Sequence, residues 1–201
     1  MARRFSAEGS LVLLLFATMF FSLSSAHAQR TERGPALQEA DRAYYQGNLD
    51  KSRQLYEKAV KEDPKNAAAL LSLGVNYAEQ GEHGKAIEVF KKAMALDPKN
   101  PEPLINLSLI YSEMEDFDRA VSYSEKAVKM DPKRASAYHT LGLAYETSGE
   151  VKKAVAAYKK GIQVDPKNSD LYLTLGNFYG KQNDFSNAVK TYEQAIAADP
   201  D

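Results

Sequence analysis

An Asp-Pro pair returns every 34 residues along this chain, at Asp63-Pro64, Asp97-Pro98, Asp131-Pro132, Asp165-Pro166 and Asp199-Pro200. Four of the five are followed by lysine, at Lys65, Lys99, Lys133 and Lys167. A fixed period of this length demands structural units that stack and bury their apolar faces against one another. The units run 33–66, 67–100, 101–134, 135–168 and 169–201. Proline lacks an amide hydrogen and clashes with the preceding turn, so each Asp-Pro closes a helix.

Each unit holds two amphipathic patterns. In the second, Leu70, Leu73, Gly74 and Tyr77 recur at spacings of three and four, one face of a helix. Gly81 interrupts, and Ala86, Ile87, Phe90, Ala93 and Met94 form a second such face. The spacing predicts helix, turn, helix, turn, five times over, about ten helices and no sheet. Small residues hold three places: Ala40, Gly74, Ser108, Gly142 and Gly176; Ser52, Ala86, Ala120, Ala154 and Ala188; and Ala59, Ala93, Ala127, Gly161 and Ala195. They let paired helices approach toward the lower end of the usual range of about 8–10 Å. Large rings surround them: Tyr77, Tyr111, Tyr145 and Tyr179 in first helices, Tyr56, Phe90, Tyr158 and Tyr192 in second helices. Gly47, Gly81 and Gly149 suit a left-handed helix end, and Asn183 tolerates one. Glu115 at the same place would cost about 1 kcal/mol in that conformation.

These residues resemble the tetratricopeptide repeat family over residues 33–201. The departures are Ala36, Leu70 and Leu104 where an aromatic is usual (Tyr138 and Tyr172 supply it later), Glu39 and Ala43 in the first unit, and Ser124 in the third. The resemblance implies an all-α fold, a right-handed superhelical solenoid of five helix-turn-helix repeats occupying 35–201, after a short linker at 29–34. It also implies that first helices line a concave groove that takes a peptide or a partner helix. By the same analogy Leu37, Leu71, Ile105, His139 and Leu173 point inward, as do Asp41, Val75, Leu109, Leu143 and Asn177. Tyr44, Tyr45, Glu79, Glu113 and Glu146 lie further along.

Charge is segregated. In units two to five the first-helix segments carry the acids Glu79, Glu102, Glu113, Glu146 and Asp170 against a single base, Lys181. One family subtype grips acidic peptide tails with lysine, arginine and asparagine. Asn106 stands at a plausible clamp site, but Leu37, Leu71 and Glu102 occupy places where polar or basic groups are needed. The expected partner is therefore a protein or peptide with an apolar or weakly basic segment. The alternative for Leu71, Val75, Leu109 and Leu143 is that they pack first helices against each other. The last helix would leave Val189, Tyr192 and Ile196 near an open end. Self-association there, a longer natural chain, or tolerated exposure are the three readings of that end. A further alternative is an accessory subunit of an enzyme made by another chain.

Catalysis is not expected. The chain has no cysteine, which excludes disulfides and thiol chemistry. Of the histidines, His27 lies in the leader, His83 in a turn, and His139 one helical turn after Ser136 with no carboxylate evidently behind it. No metal-ligand spacing and no phosphate loop occurs, so no cofactor is expected. A formal net charge of −1 offers nothing to nucleic acid. The lysine pairs 91–92, 152–153 and 159–160 read as solvated faces.

Residues 1–28 read as a secretory signal peptide. Arg3 and Arg4 precede an apolar run from Leu11 to Leu23, and Ala26-His27-Ala28 is a small-x-small cleavage pattern. The run is short of the roughly 20 residues a spanning helix needs. The expected location is secreted or periplasmic. An uncleaved membrane anchor is the alternative and the sole route to a membrane.

Overall fold

The computed structural model describes residues 34–199. Residues 1–28, read above as a signal peptide, and all of the expected linker except Gly34 lie outside the described residues. Within them the chain forms ten α-helices and no strand. They are α1 Pro35–Tyr45, α2 Leu49–Glu62, α3 Ala67–Glu79, α4 His83–Leu96, α5 Glu102–Glu113, α6 Phe117–Met130, α7 Ala135–Thr147, α8 Val151–Val164, α9 Ser169–Lys181 and α10 Phe185–Ala198. The chain divides into two compact units, one ending at Asn106 and one beginning at Leu107, with the division inside α5. In the first unit α1 packs on α2 and α3 on α4. In the second α7 packs on α8 and α9 on α10.

The repeated Asp-Pro-Lys is a stop signal with a mechanism. Each aspartate caps a second helix, its N–H donating to the carbonyl four residues back, as from Asp63 to Ala59 at 2.9 Å and Asp131 to Ala127 at 3.0 Å. Its carboxylate then accepts from the lysine amide beyond the proline, at 3.1 Å for Asp63, 3.4 Å for Asp97 and 3.2 Å for Asp131. Aspartate thus holds the turn that proline begins. The next helix starts on an asparagine in the first unit, where the Asn66 side chain accepts from Ala69 N–H at 2.9 Å.

The turn inside each hairpin needs a left-handed residue. Gly47, Gly81 and Gly149 have φ of +75°, +74° and +79°. Asn183 and Glu115 adopt the same conformation at +58° and +59°. The Glu115 turn is not altered to spare it. Asp116 N–H donates to Tyr111 O at 2.8 Å, the closure Glu82 makes to Tyr77 at the same distance. The strain of about 1 kcal/mol is therefore present at Glu115.

Glycine decides how closely the helices of a hairpin meet. A Cβ on Gly74 would stand 2.6 Å from the Phe90 ring, on Gly142 2.4 Å from Tyr158, and on Gly176 2.6 Å from Tyr192. Each ring lies over a glycine of its partner helix. The third repeat solves the same contact differently. Ser108 and Ser124 replace glycine and ring, and both hydroxyls donate to the Ala120 carbonyl, at 2.8 and 3.0 Å. The core of the second unit gathers Leu141, Tyr145, Ala154, Ala157, Tyr158, Leu175 and Phe178. Tyr158 and Phe178 meet edge-on at 5.8 Å. No helix among the described residues is long and apolar enough to cross a membrane.

Candidate functional site

The first-helix residues predicted to face a ligand separate by burial. Leu37, Val75, Ile105, Leu109 and His139 are buried. They fill space between helices and offer little surface. Tyr44, Leu71, Glu79, Glu113, Leu143 and Glu146 are half-buried, while Leu173, at 43% exposure, and Asn177 are open to solvent. The accessible strip is thus shorter and more polar than its sequence suggests. In the first unit it comprises Tyr44, Leu71 and Glu79; in the second, Leu143, Glu146, Leu173 and Asn177, with Glu113 at the end of α5.

Neighbouring first helices are tied directly, always between residues 35 apart. In the first unit Tyr44 Oη donates to Glu79 Oε1, joining α1 to α3. In the second, Lys181 Nζ donates to Glu146 Oε1 at 2.8 Å, and His139 Nε2 lies 3.2 Å from Thr174 Oγ1, both joining α7 to α9. Thr174 donates its own proton to Asp170 O at 2.9 Å, which leaves its oxygen to accept and assigns the imidazole proton to Nε2. His139 faces Thr174 rather than Ser136. Burial holds its pKa down at about 4, so the ring is neutral at ordinary pH.

Second-helix tyrosines reach through the seam to polar groups of the first helix. Tyr56 donates to Asp41 at 2.9 Å, Tyr158 to Glu146 at 2.7 Å and Tyr192 to Asn177 at 2.7 Å. Where the ninth residue of the repeat is Val75, the ring is Phe90 and has no hydroxyl to satisfy. The fourth repeat departs from this correspondence, since its ninth residue is Leu143 and the Tyr158 hydroxyl reaches Glu146 three residues further on, so the acceptor is found only when the ring is seen to cross the seam. Asn76 was not singled out by its sequence position. It is buried and donates to Ser52 Oγ at 2.6 Å and Leu49 O at 3.2 Å, fastening α3 to α2.

Acidity along the strip is tuned by burial. Desolvation raises Glu79, against a smaller downward pull from the Tyr44 hydroxyl. Burial pushes Glu113 up to about 7. No cluster of three or more side chains able to hold a metal occurs among the described residues. On α10, Val189 and Ile196 stand 56% and 69% exposed, next to Phe185 at 65%. Tyr192, predicted to share that face, is instead half-buried over Gly176 with its hydroxyl on Asn177.

These features define a protein built from helical hairpins, with accessible apolar and acidic residues on the first helices of each of its two units. Tetratricopeptide repeat models match residues 37–101, and 77–144 with 145–201, and the chain belongs to the tetratricopeptide repeat family, whose repeats are protein-interaction modules. Among solved structures it is similar to MamA, at 30% identity over 80% of this chain and 94% of that one, with a TM-score of 0.63. A thermophilic tetratricopeptide protein of Thermus thermophilus, TTC0263, shares 24% identity over 82% of this chain and 90% of that one, at a TM-score of 0.73. YrrB, described as a tetratricopeptide protein with an unusual peptide-binding site, shares 21% identity over 90% of this chain and 94% of that one, at a TM-score of 0.56. The last two likenesses speak for the fold alone. No curated protein matches.

Proposed function

We propose that this protein is a non-catalytic scaffold that binds a peptide or helix carrying an apolar, weakly basic face along its first-helix strip. The observation that carries this reading is that first helices of both units keep leucine and carboxylate at least partly open to solvent: Leu71 and Glu79 on α3 in the first, Leu143 and Glu146 on α7 and Leu173 on α9 in the second. An amphipathic helix laid on such a strip would bury its leucines and meet acids at its rim. The leader-like residues 1–28 support an extracytoplasmic setting, either free or anchored. Leu143→Ser with Leu173→Ser is expected to weaken capture of a leucine-rich amphipathic probe peptide about tenfold or more, since each loses on the order of 1 kcal/mol of apolar burial. Titration calorimetry with circular dichroism as a folding control checks this. Unaltered affinity in a folded variant refutes the strip.

A second reading rests on α10, where Phe185, Val189 and Ile196 form an exposed apolar row. In it, copies of the chain join through this face. Sedimentation of the wild type should then show association that Val189→Glu with Ile196→Glu abolishes. A monomer at all concentrations would eliminate this alternative.

A further inference from the structure

Two ties join α7 to α9 in the second unit, and they differ in kind. His139 meets Thr174 at 3.2 Å, with the imidazole buried. Two helical turns further along both helices, a rise of about 10 Å, Lys181 Nζ meets Glu146 Oε1 at 2.8 Å in a charged pair. Between the ties Leu143 is half-buried on α7 and Asn177 is exposed on α9.

The two partners of the charged pair are held very differently. The Glu146 side chain is 18% exposed, and its other oxygen, Oε2, accepts from Tyr158 Oη at 2.7 Å. That ring is fully buried and edge-on to Phe178, so the carboxylate is fixed from behind. The Lys181 side chain is 60% exposed and reaches over from the last residue of α9. A pair with one partner so open contributes little, so Lys181 can swing into solvent at small cost. It then leaves a positioned, part-buried carboxylate oxygen that calls for another cation.

We infer that Glu146 Oε1 is a subsite for a lysine or arginine side chain of the bound segment, and that Lys181 occupies it until that side chain arrives. The inference rests on the strip binding proposed above and names the charge it recognises. The occupant is argued from what the site already holds: an ammonium on an aliphatic stem fits there because one is seated there. Charge complementarity excludes an acidic side chain from the same place. Leu143, one turn before Glu146 on α7, would take an apolar side chain of the same segment. Lys181 is then an intramolecular competitor. A cation bound at Glu146 must displace it, which holds the affinity for basic segments below what the carboxylate alone would give.

The test uses two acetylated, amidated helical peptides with the same leucine face. The positions flanking that face are all lysine in one and all glutamine in the other, so any register offers Glu146 a cation or none. Both are titrated calorimetrically into the full chain and its variants at about 0.15 M salt, with circular dichroism certifying that each variant is folded. Lys181→Ala should raise the preference for the lysine peptide about threefold, through release of one competing surface pair. Lys190→Ala removes the same charge from the exposed side of α10 and should leave the preference within about 1.5-fold. Adding Glu146→Gln to Lys181→Ala should cancel the gain. A preference unmoved by Lys181→Ala, moved equally by Lys190→Ala, or still raised in the double variant overturns the subsite while strip binding stands. If neither peptide binds any form of the chain, strip binding fails and the subsite with it. Should the double variant unfold, the comparison of Lys181→Ala with Lys190→Ala decides alone.

Discussion

Gly142→Leu should destabilise the second unit by about 1–3 kcal/mol, the cost of overpacking a formed seam. Any Cβ at this place would sit 2.4 Å from two Tyr158 ring carbons. The ring has little freedom to yield. It is fully buried, edge-on to Phe178, and held by its hydroxyl on Glu146. Displacing it would therefore strain the core contact and the hydrogen bond together. For a unit of this size the melting temperature should fall on the order of 10 °C. Gly84→Leu is the control, because nothing lies within 4 Å of a Cβ built there. Thermal unfolding followed by circular dichroism distinguishes them. Equal melting of the two variants would show that the ring does not seat on Gly142.

The second large effect is on pH. His139 is buried and its folded pKa is about 4, against 6.5 for the free side chain. The unfolded chain therefore takes up the proton first as pH falls. The neutral ring's contribution is complete above about pH 6.5 and is lost as pH drops from there toward 4. Between pH 7 and pH 4.5 the loss is about 2 kcal/mol. Glu113 acts in the opposite direction. Its folded pKa of about 7 lies above the ordinary 4.5, so its contribution is present at low pH and is lost as pH rises through that interval. The two slopes oppose each other in the wild type, and the variant His139→Leu separates them. The stability difference between wild type and variant, from urea unfolding, should shift by about 2 kcal/mol against the wild type between pH 7 and pH 4.5. A difference that stays constant with pH would mean that the imidazole is protonated, or solvated, in the folded protein.

Much of the architecture was legible because its signals are local. Proline at Pro64, Pro98, Pro132 and Pro166 stops a helix whatever surrounds it. Gly47, Gly81 and Gly149 announced left-handed turns, and φ values of +74° to +79° answer to them. The small residue opposite each ring was also readable, since Gly74, Gly142 and Gly176 recur in register with Phe90, Tyr158 and Tyr192. The third repeat was not. Ser124 looked like a missing aromatic, whereas with Ser108 it makes a hydrogen-bonded seam on the Ala120 carbonyl. That substitution involves two serines 16 residues apart on facing helices, and no local pattern pairs them.

The strip itself was the least legible part. Leu37, Leu71, Ile105, His139 and Leu173 share one place in the repeat, yet Leu37, Ile105 and His139 are buried, Leu71 is half-buried and Leu173 is exposed. Repeat position sets the direction in which a side chain leaves its helix. It does not set the size and polarity of what stands opposite, which comes from residues distant in sequence. The ties at 35-residue separation, Tyr44 to Glu79 and Glu146 to Lys181, belong to the same category.

The amino-acid sequence by itself determined the period, the ten helices, their stops and their turns, because backbone sterics and apolar periodicity act within a few residues. Only the tertiary structure decided which leucines remain accessible and which carboxylates are held by tyrosine. Those properties depend on the packing of one hairpin against the next, where a single side chain changes what its neighbour can reach.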